Sequence, residues 1–528
     1  MGGFKMTRPM RWLLLLLFSA LMAATTSANF NRVFTEAGVQ FVDADCYSRM
    51  TRVQRVVEAP FSRISHHDFE NFPQGTNPHT TAPMDWAIAL LAAILSPFSD
   101  NALDFAGAWI SPLLGVLTIV ALWAWGERER IPFRGAMLLL VSISPIVVQG
   151  FKLGRPDHQS LLLFLLACAV GLEHCLWQKP TIRRAMLWGV AWGLALWTSL
   201  YEPLIVFALL FVVRAAMLRG TLLSRPWSVA FLTALAVFGL GVLFDGWRVA
   251  AQDPLVAEYF SRWAKSIGEL AHLAPWSPQF LGWIGWLAPA LPVLLGISWL
   301  RKRSSFAGLL FVLVLVTYGL TCWQLRWGSF FVLFTAIAFP FALAAIPKPA
   351  VAWTAYGIGL LPLSSQWDTL LFPDTNTRAL HEEMRTDYAL LHEVAEKLAS
   401  EEPAPILAPW WLSPPLAYWS GQPCVAGSSH QSLPGTVDTA VFYTTTDPAV
   451  AEDILAKRNV RYVIAYEPSR VLSTSASILG EPPPARSLGA TLYHAPQRAP
   501  EFLKIVFANA FFRVYEYTGF KPTAADSP

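Results

Sequence analysis

The chain has 528 residues, of which 54% are hydrophobic, 13% aromatic and only 14% charged, whereas a soluble domain carries about 25% charged residues; this composition excludes an ordinary soluble protein and indicates a membrane protein. Lys plus Arg (39) against Asp plus Glu (36) leaves a formal charge of +3, which offers no basic footprint for nucleic acid. The five cysteines, Cys46, Cys168, Cys175, Cys322 and Cys424, form no C-x-x-C pair, and three lie in apolar runs, so neither a disulfide framework nor a zinc site is expected.

Apolar runs long enough to cross a bilayer, about 17 to 25 residues each, recur from residue 12 to residue 365 and then stop. Spans are expected near 12–28, 103–125, 134–150, 159–177, 184–200, 203–217, 228–246, 280–299, 306–322, 329–346 and 350–365. The first run reads either as a span or as a signal peptide, because Lys5, Arg8 and Arg11 precede it and small residues occupy Thr25 to Ala28. The apolar stretch 84–98 is short and reads as interfacial. Basic loops stay cytoplasmic. Under strict alternation Arg128, Arg130 and Arg134, then Lys179, Arg183 and Arg184, then Arg214, Arg219 and Arg225, then Arg301, Lys302 and Arg303 all fall inside. Segments 29–102, 247–279 and 366–528 are then external. The expected architecture is a multi-pass α-helical membrane domain over 1–365 with external loops 29–102 and 247–279, followed by a soluble extracytoplasmic domain over 366–528. Such a chain belongs in the cell membrane, the inner one in a Gram-negative cell.

Ionisable residues close to hydrocarbon are costly unless paired, solvated or metal-bound, and so mark candidate sites. In VDADCYSRM, Asp43 and Asp45 precede a helical stretch, where either could simply cap the helix. FKLGRPDHQS sets Lys152, Arg155, Asp157 and His158 between two spans, where Asp157 could pair with Arg155. In AKSIGELAHLAPW, Glu269 and His272 sit among apolar neighbours, a pattern that a helix lying on the membrane shares. Arg326 stands between Trp323 and Trp327, the setting of an interfacial anchor. Asp45, Asp157, Glu269 and Arg326 nevertheless all fall on the external side. Carboxylates there offer hard oxygen ligands to Mg or Mn, and an Arg beside them suits a phosphate.

The tail opens on RALHEEMRTDYALLHEVAEKLAS (378–400), spaced for an amphipathic helix. Short β-type runs follow at 404–407, 441–445 and 460–465, the last preceded by a helical PAVAEDILAKRN, and KIVFANAFFRVYEYT reads as two strands closing around Ala508 and Asn509. This is a mixed α/β pattern.

Taken together, D-A-D-C-Y-S-R-M, G-R-P-D-H-Q, S-I-G-E, L-R-W and W-W resemble the catalytic subunit of oligosaccharyltransferases in order and spacing over nearly the whole chain. The likeness is to the bacterial and archaeal single-subunit forms, whose first loop reads D-x-Y, second G-x-x-D-H-H or D-x-D, and fifth S-x-x-E or T-x-x-E. The resemblance implies a C-type glycosyltransferase fold and an inverting, metal-dependent transfer from a polyprenyl-diphosphate-linked glycan. It makes Asp45, Asp157 and Glu269 catalytic, with His158 and Gln159 joining them as ligands to a divalent cation, Mn or Mg. It makes Arg326 the group that contacts the lipid-linked diphosphate, and Trp410 and Trp411 part of the substrate site; Asp43 receives no role. Gln159 stands where the family has His or Asp, and an amide oxygen also ligates hard cations. Leu412, Ser413 and Pro414 stand where the family's W-W-D-Y-G places Asp, Tyr and Gly, and Leu412 has no hydrogen-bonding group for an acceptor hydroxyl, so the acceptor, protein or other, is left open. His79 and Asp85 lie in a family-like stretch and receive no firm role.

Three alternatives stand beside this reading, one of them, suggested by Gln159 and Leu412, a degenerate homologue without activity. Transferases of the same fold use a polyprenyl-monophosphate sugar, with a D-E or D-D pair in the first external loop, whereas here Ala44 separates Asp43 from Asp45. A lipid-sugar transporter would bind cargo between internal repeats at midspan, and the sequence shows no repeat.

Overall fold

The computed structural model describes residues 7–60, 62–77, 81–217, 224–247, 254–302, 304–399, 404–484 and 486–522; His79 lies outside them. The chain divides into two compact units, one of residues 1–33, 80–247 and 269–375, the other of 34–79, 248–268 and 376–528.

The first unit is helical. Among the described residues, six helices are long and apolar enough to cross a membrane: Arg8–Val33, Ala102–Arg128, His158–Gln178, Arg225–Asp245, Ser305–Trp323 and Leu325–Leu343. Ile182–Thr198 and Tyr201–Met217 lie at the expected positions but are shorter, at 17 residues each. Three expected spans are broken. Run 134–150 forms Arg134–Ile143 and Pro145–Gly150, because Pro145 has no N–H for the preceding turn and holds Ser144 extended. Run 280–299 forms Gln279–Ile284 and Leu291–Lys302, interrupted at Gly285, whose φ is +77°, a conformation open to glycine. Run 350–365 becomes Pro349–Gly359 and Leu361–Leu371, ending six residues past the expected boundary. The short stretch 84–98 forms the helix Ala82–Leu95.

Ile182–Thr198 packs on Arg225–Asp245 through Gly189 and Gly193, a G-x-x-x-G pair. A Cβ at Gly189 would stand 2.5 Å from Thr233 Cβ, and one at Gly193 would stand 2.5 Å from Val237 Cβ. Toward the end of His158–Gln178 away from His158, the fully buried Glu173 carboxylate meets Arg214. It accepts from Arg214 Nε at 3.0 Å, Trp177 Nε1 at 2.7 Å and Trp188 Nε1 at 2.6 Å. The Arg214 guanidinium lies 3.9 Å from the centroid of Trp227. A charge this deep is tolerated only when its partners are all present.

The second unit is α/β, as the tail pattern indicates. Its four-stranded sheet runs in the order Ile406–Leu407, Tyr462–Ala465, Arg513–Tyr517, Leu503–Ala508. The first pair is parallel and the others antiparallel. The closing hairpin forms as the sequence indicates, with Asn509 Oδ1 accepting from the N–H groups of Phe511 and Phe512 at the turn. The helix Thr375–Ala399 buries Leu391, Val394, Ala395 and Leu398, one stripe at helical spacing. The expected strand 441–445 is a correction: Val441 to Thr444 close the helix Leu433–Thr444. Buried Thr436, Thr439, Ala440, Tyr443 and Thr444 repeat at three and four residues, and this burial overrides the local β propensity of F-Y-T-T-T.

Segments from the two loops are built into this unit. Phe69 O accepts from Cys424 N at 3.1 Å, and Cys424 O accepts from Phe72 N at 3.1 Å. The buried Arg458 donates to Asn71 Oδ1 at 3.1 Å and Phe72 O at 3.2 Å. Arg262 Nη1 donates to Leu479 O at 2.6 Å.

Candidate functional site

In the first unit, the segment before Asp157 is tied by its backbone. Leu153 N donates to Thr26 O at 2.9 Å and Gly154 N donates to Ala108 O at 3.0 Å, while Asn29 Nδ2 donates to Leu153 O at 3.0 Å. Asp157 occupies the N-cap position of His158–Gln178, yet its side chain makes no capping bond. Its carbonyl does that work, accepting from Ser160 N at 3.3 Å and from Ser160 Oγ at 2.9 Å. The carboxylate lies 2.7 Å from His158 Nδ1 and 3.8 Å from Arg155 Nη2, so of these two contacts the one with Arg155 is the weaker. A carboxylate at this helix end is favoured by the helix dipole.

Two residues on, Gln159 bridges opposite charges. Arg155 Nη2 donates to its Oε1 at 3.4 Å, and its Nε2 donates to Glu269 Oε2 at 3.1 Å. An amide does this because it carries both a donor and an acceptor; a carboxylate here would repel Glu269. Glu269 lies on the short 3-10 turn Gly268–Leu270, not on a membrane-surface helix. The chain after it is zipped to the turn carrying Arg326: Leu325 N donates to Ala271 O at 3.0 Å and Leu273 N to Cys322 O at 3.0 Å. His272 Nδ1 completes the zipper by donating to Trp323 O at 2.6 Å.

Arg326 is not an exposed anchor. Its side chain is 20% exposed, and Nη2 lies 2.5 Å from Oε1 of Glu202, which is 1% exposed. The guanidinium carbon stands 5.6 Å from the ring centroid of Tyr201, and Glu269 and Asp157 both act on it electrostatically. The structure therefore brings Asp157, His158, Gln159, Glu269 and Arg326 into one polar neighbourhood and adds Glu202 to it. Sequence reasoning passed over Glu202 because it sits between two apolar runs in S-L-Y-E-P. The available signal was the same cost of an ionisable group near hydrocarbon that singled out the others.

The second unit holds the remaining candidates. Asp43 is the N-cap of the helix Ala44–Glu58, its Oδ1 accepting from Cys46 N at 3.0 Å. The capping explanation thus holds for Asp43; Asp45 stands exposed in the first turn that follows. Trp410 packs edge-on against Trp263 with centroids 5.7 Å apart, and against Trp411 at 5.8 Å. The indole N–H groups of all three are buried without a hydrogen-bond partner among the described residues. Leu412 is buried, and Ser413 Oγ donates to Ala408 O at 3.0 Å, so both serve the turn and the core. Nearby in this unit Glu70 is fully buried, with Ser48 Oγ donating to it and Ser429 N donating at 3.4 Å. Burial pushes its carboxyl above the ordinary value, against the pull of those hydrogen bonds.

Among the described residues, no three His, Cys, Asp or Glu side chains gather closely enough to hold a metal ion. Within the first unit the donors Asp157, His158, Gln159 and Glu269 do have the carboxylate, amide and imidazole chemistry that divalent cations take.

No protein-family model and no curated protein matches the sequence, but solved structures match the fold. The oligosaccharyltransferase of Archaeoglobus fulgidus in complex with Zn and sulfate superposes with a TM-score of 0.69 at 15% identity, covering 96% of this chain and 73% of that chain. The same enzyme tethered with an acceptor peptide containing the NVT sequon gives a TM-score of 0.66 at 15% identity, covering 90% and 71%. ArnT from Cupriavidus metallidurans bound to undecaprenyl phosphate gives 0.56 at 12% identity, covering 96% and 97%. The multi-pass membrane glycosyltransferase fold expected from the sequence is therefore present. At these identities the likeness establishes the fold alone.

Proposed function

We propose that this chain is an inverting glycosyltransferase of the cell membrane, moving a sugar or oligosaccharide from a polyprenyl-diphosphate donor to an acceptor at the external face. The observation that carries the reading is the convergence, inside one unit, of Asp157 and Gln159 from one loop, Glu269 from another and Arg326 from a third. Motif-bearing residues far apart in the chain meet, which a set of unrelated helix caps and interfacial anchors does not explain.

In this mechanism Arg326 grips the diphosphate, and the preorganised guanidinium favours the charge that develops as the leaving group departs. Asp157, His158, Gln159 and Glu269 would hold a divalent cation, Mn or Mg, which when bound neutralises diphosphate charge. Asp45 orients the acceptor nucleophile. Trp410 and Trp411 offer to the acceptor indole N–H donors that have no hydrogen-bond partner among the described residues. Because Leu412 is packed into the core and lacks a polar group, the acceptor is recognised without the carboxylate that the family motif supplies.

The test is donor consumption by purified protein in lipid nanodiscs. Asp45→Ala and Asp157→Ala should each abolish transfer while the protein stays folded, and chelation of divalent cations should do the same to the wild type. Full activity in either variant refutes the assigned roles. A monophosphate-linked donor is the second reading, favoured by the near-complete coverage of ArnT. Mass spectrometry of the lipid consumed decides between them.

A further inference from the structure

Arg326 is held from two sides by consecutive residues of one helical turn. Glu202 and Tyr201 open the helix Tyr201–Met217. Tyr201 presents its ring to the guanidinium, with the carbon 5.6 Å from the centroid. Glu202 meets Nη2 at 2.5 Å. Glu202 is itself fixed, because Ser199 Oγ donates to its other oxygen at 2.9 Å. Pro203 follows it in the first turn, where its missing N–H costs the helix nothing. A carboxylate 1% exposed cannot remain charged without a partner, so the pair binds Arg326 to this spot as much as it stabilises Glu202.

An Arg side chain carries five N–H donors in a planar fork, and Glu202 engages one end. Arg326 Nε is buried without a hydrogen-bond partner among the described residues. A buried, unpaired donor on a charged group is costly, and an oxyanion arriving at that edge would satisfy it. Asp157 and Glu269 act electrostatically on the same guanidinium.

From this geometry we infer that Glu202 is a positioning residue for the phosphate-binding Arg: it holds Nη2 and so fixes the direction in which the guanidinium presents its other donors to the donor's diphosphate. The inference rests on the glycosyltransferase reading above and adds the residue that orients its anion grip. Substrate does not touch Glu202; its effect passes through Arg326.

The experiment measures binding of undecaprenyl diphosphate to the purified full-length chain in nanodiscs, and donor KM and kcat separately, for Glu202→Gln, Glu202→Asp, Arg326→Ala and the Glu202→Gln/Arg326→Ala double variant. Melting temperatures accompany every variant; if Glu202→Gln does not fold, Ser199→Ala, which loosens the same carboxylate, takes its place. Glu202→Gln is expected to weaken binding and raise the donor KM by about tenfold, the scale of one charge-assisted contact, with kcat changed far less. Glu202→Asp should recover part of the loss. The double variant should be no worse than Arg326→Ala alone, because the clamp has nothing left to hold. If Glu202→Gln binds the lipid like wild type while Arg326→Ala does not, or if the two losses add, the positioning role is overturned and the function stands. If Arg326→Ala binds as well as wild type, the diphosphate reading itself fails and the inference falls with it.

Discussion

Replacing Arg214 by Met strips the countercharge from a carboxylate that no water reaches. Glu173 and Arg214 are 0% and 1% exposed. Without the guanidinium, Glu173 keeps, among the described residues, the indole donors Trp177 at 2.7 Å and Trp188 at 2.6 Å. Breaking a buried pair on one side costs about 3–5 kcal/mol. The stacking of Arg214 on Trp227 at 3.9 Å, worth about 2 kcal/mol when desolvated, is partly replaced by the thioether. Arg214→Met should therefore destabilise the protein by about 3–5 kcal/mol. Glu173→Gln/Arg214→Met removes both charges and should restore most of that loss, since neutral substitution of a buried pair is commonly close to even. Unfolding followed by tryptophan fluorescence in nanodiscs gives the ordering. Equal stability of the single and double variants, or a single variant within about 1 kcal/mol of wild type, would refute the reasoning. Folded protein of either kind should keep its kinetic constants, because Glu173 lies about 22 Å along the helix from His158 at 1.5 Å per residue.

Three further outcomes follow from other features. Glu70, its carboxyl held above the ordinary 4.5 by burial, binds its proton longer when folded than unfolded. Its contribution is present below that ordinary value and is lost as pH rises through the raised one. Glu70→Gln should flatten the decline of melting temperature above pH 4.5, and parallel curves for the two proteins would show that Glu70 does not set it. Gly193→Leu forces a side chain where even a Cβ meets Val237 Cβ at 2.5 Å and Ala234 O at 2.8 Å; a loss of about 1–3 kcal/mol is expected from overpacking, and an unchanged thermal melt would contradict the packing. Trp410→Phe keeps an aromatic ring and removes an unpaired N–H. It should raise the KM for the acceptor severalfold and leave the donor KM unchanged, as steady-state kinetics with each substrate varied in turn will show.

Much of the first unit was legible because hydrocarbon imposes a strong rule: long apolar runs must be helices. The breaks at Pro145 and Gly285 were hidden inside apolar runs, where hydropathy does not register a lost hydrogen bond or a left-handed residue. Asp157, Glu269 and Arg326 could be found because each is expensive where it stands. Their bridge through Gln159 could not, since an amide between two charges leaves no mark in the sequence. In the tail, Asn509 announced its turn and the strands either side alternated, whereas Val441 to Thr444 carried strand-like residues on a helical burial pattern. The capping ambiguity of Asp43 and Asp45 needed coordinates, because both occupy positions from which a carboxylate can reach a free backbone N–H.

The second unit draws on residues 34–79, 248–268 and 376–528, and this sets an order on biogenesis. Phe69 and Phe72 wait for Cys424, and Asn71 waits for Arg458, so the earliest-made piece is finished long before its strand-like and cationic mates leave the ribosome. Loop closure over so long an interval is slow in the contact-order sense. A secreted fragment beginning at residue 376 would lack two of the three pieces that complete its interior. It should be recovered as an aggregate unless the missing segments are supplied in trans.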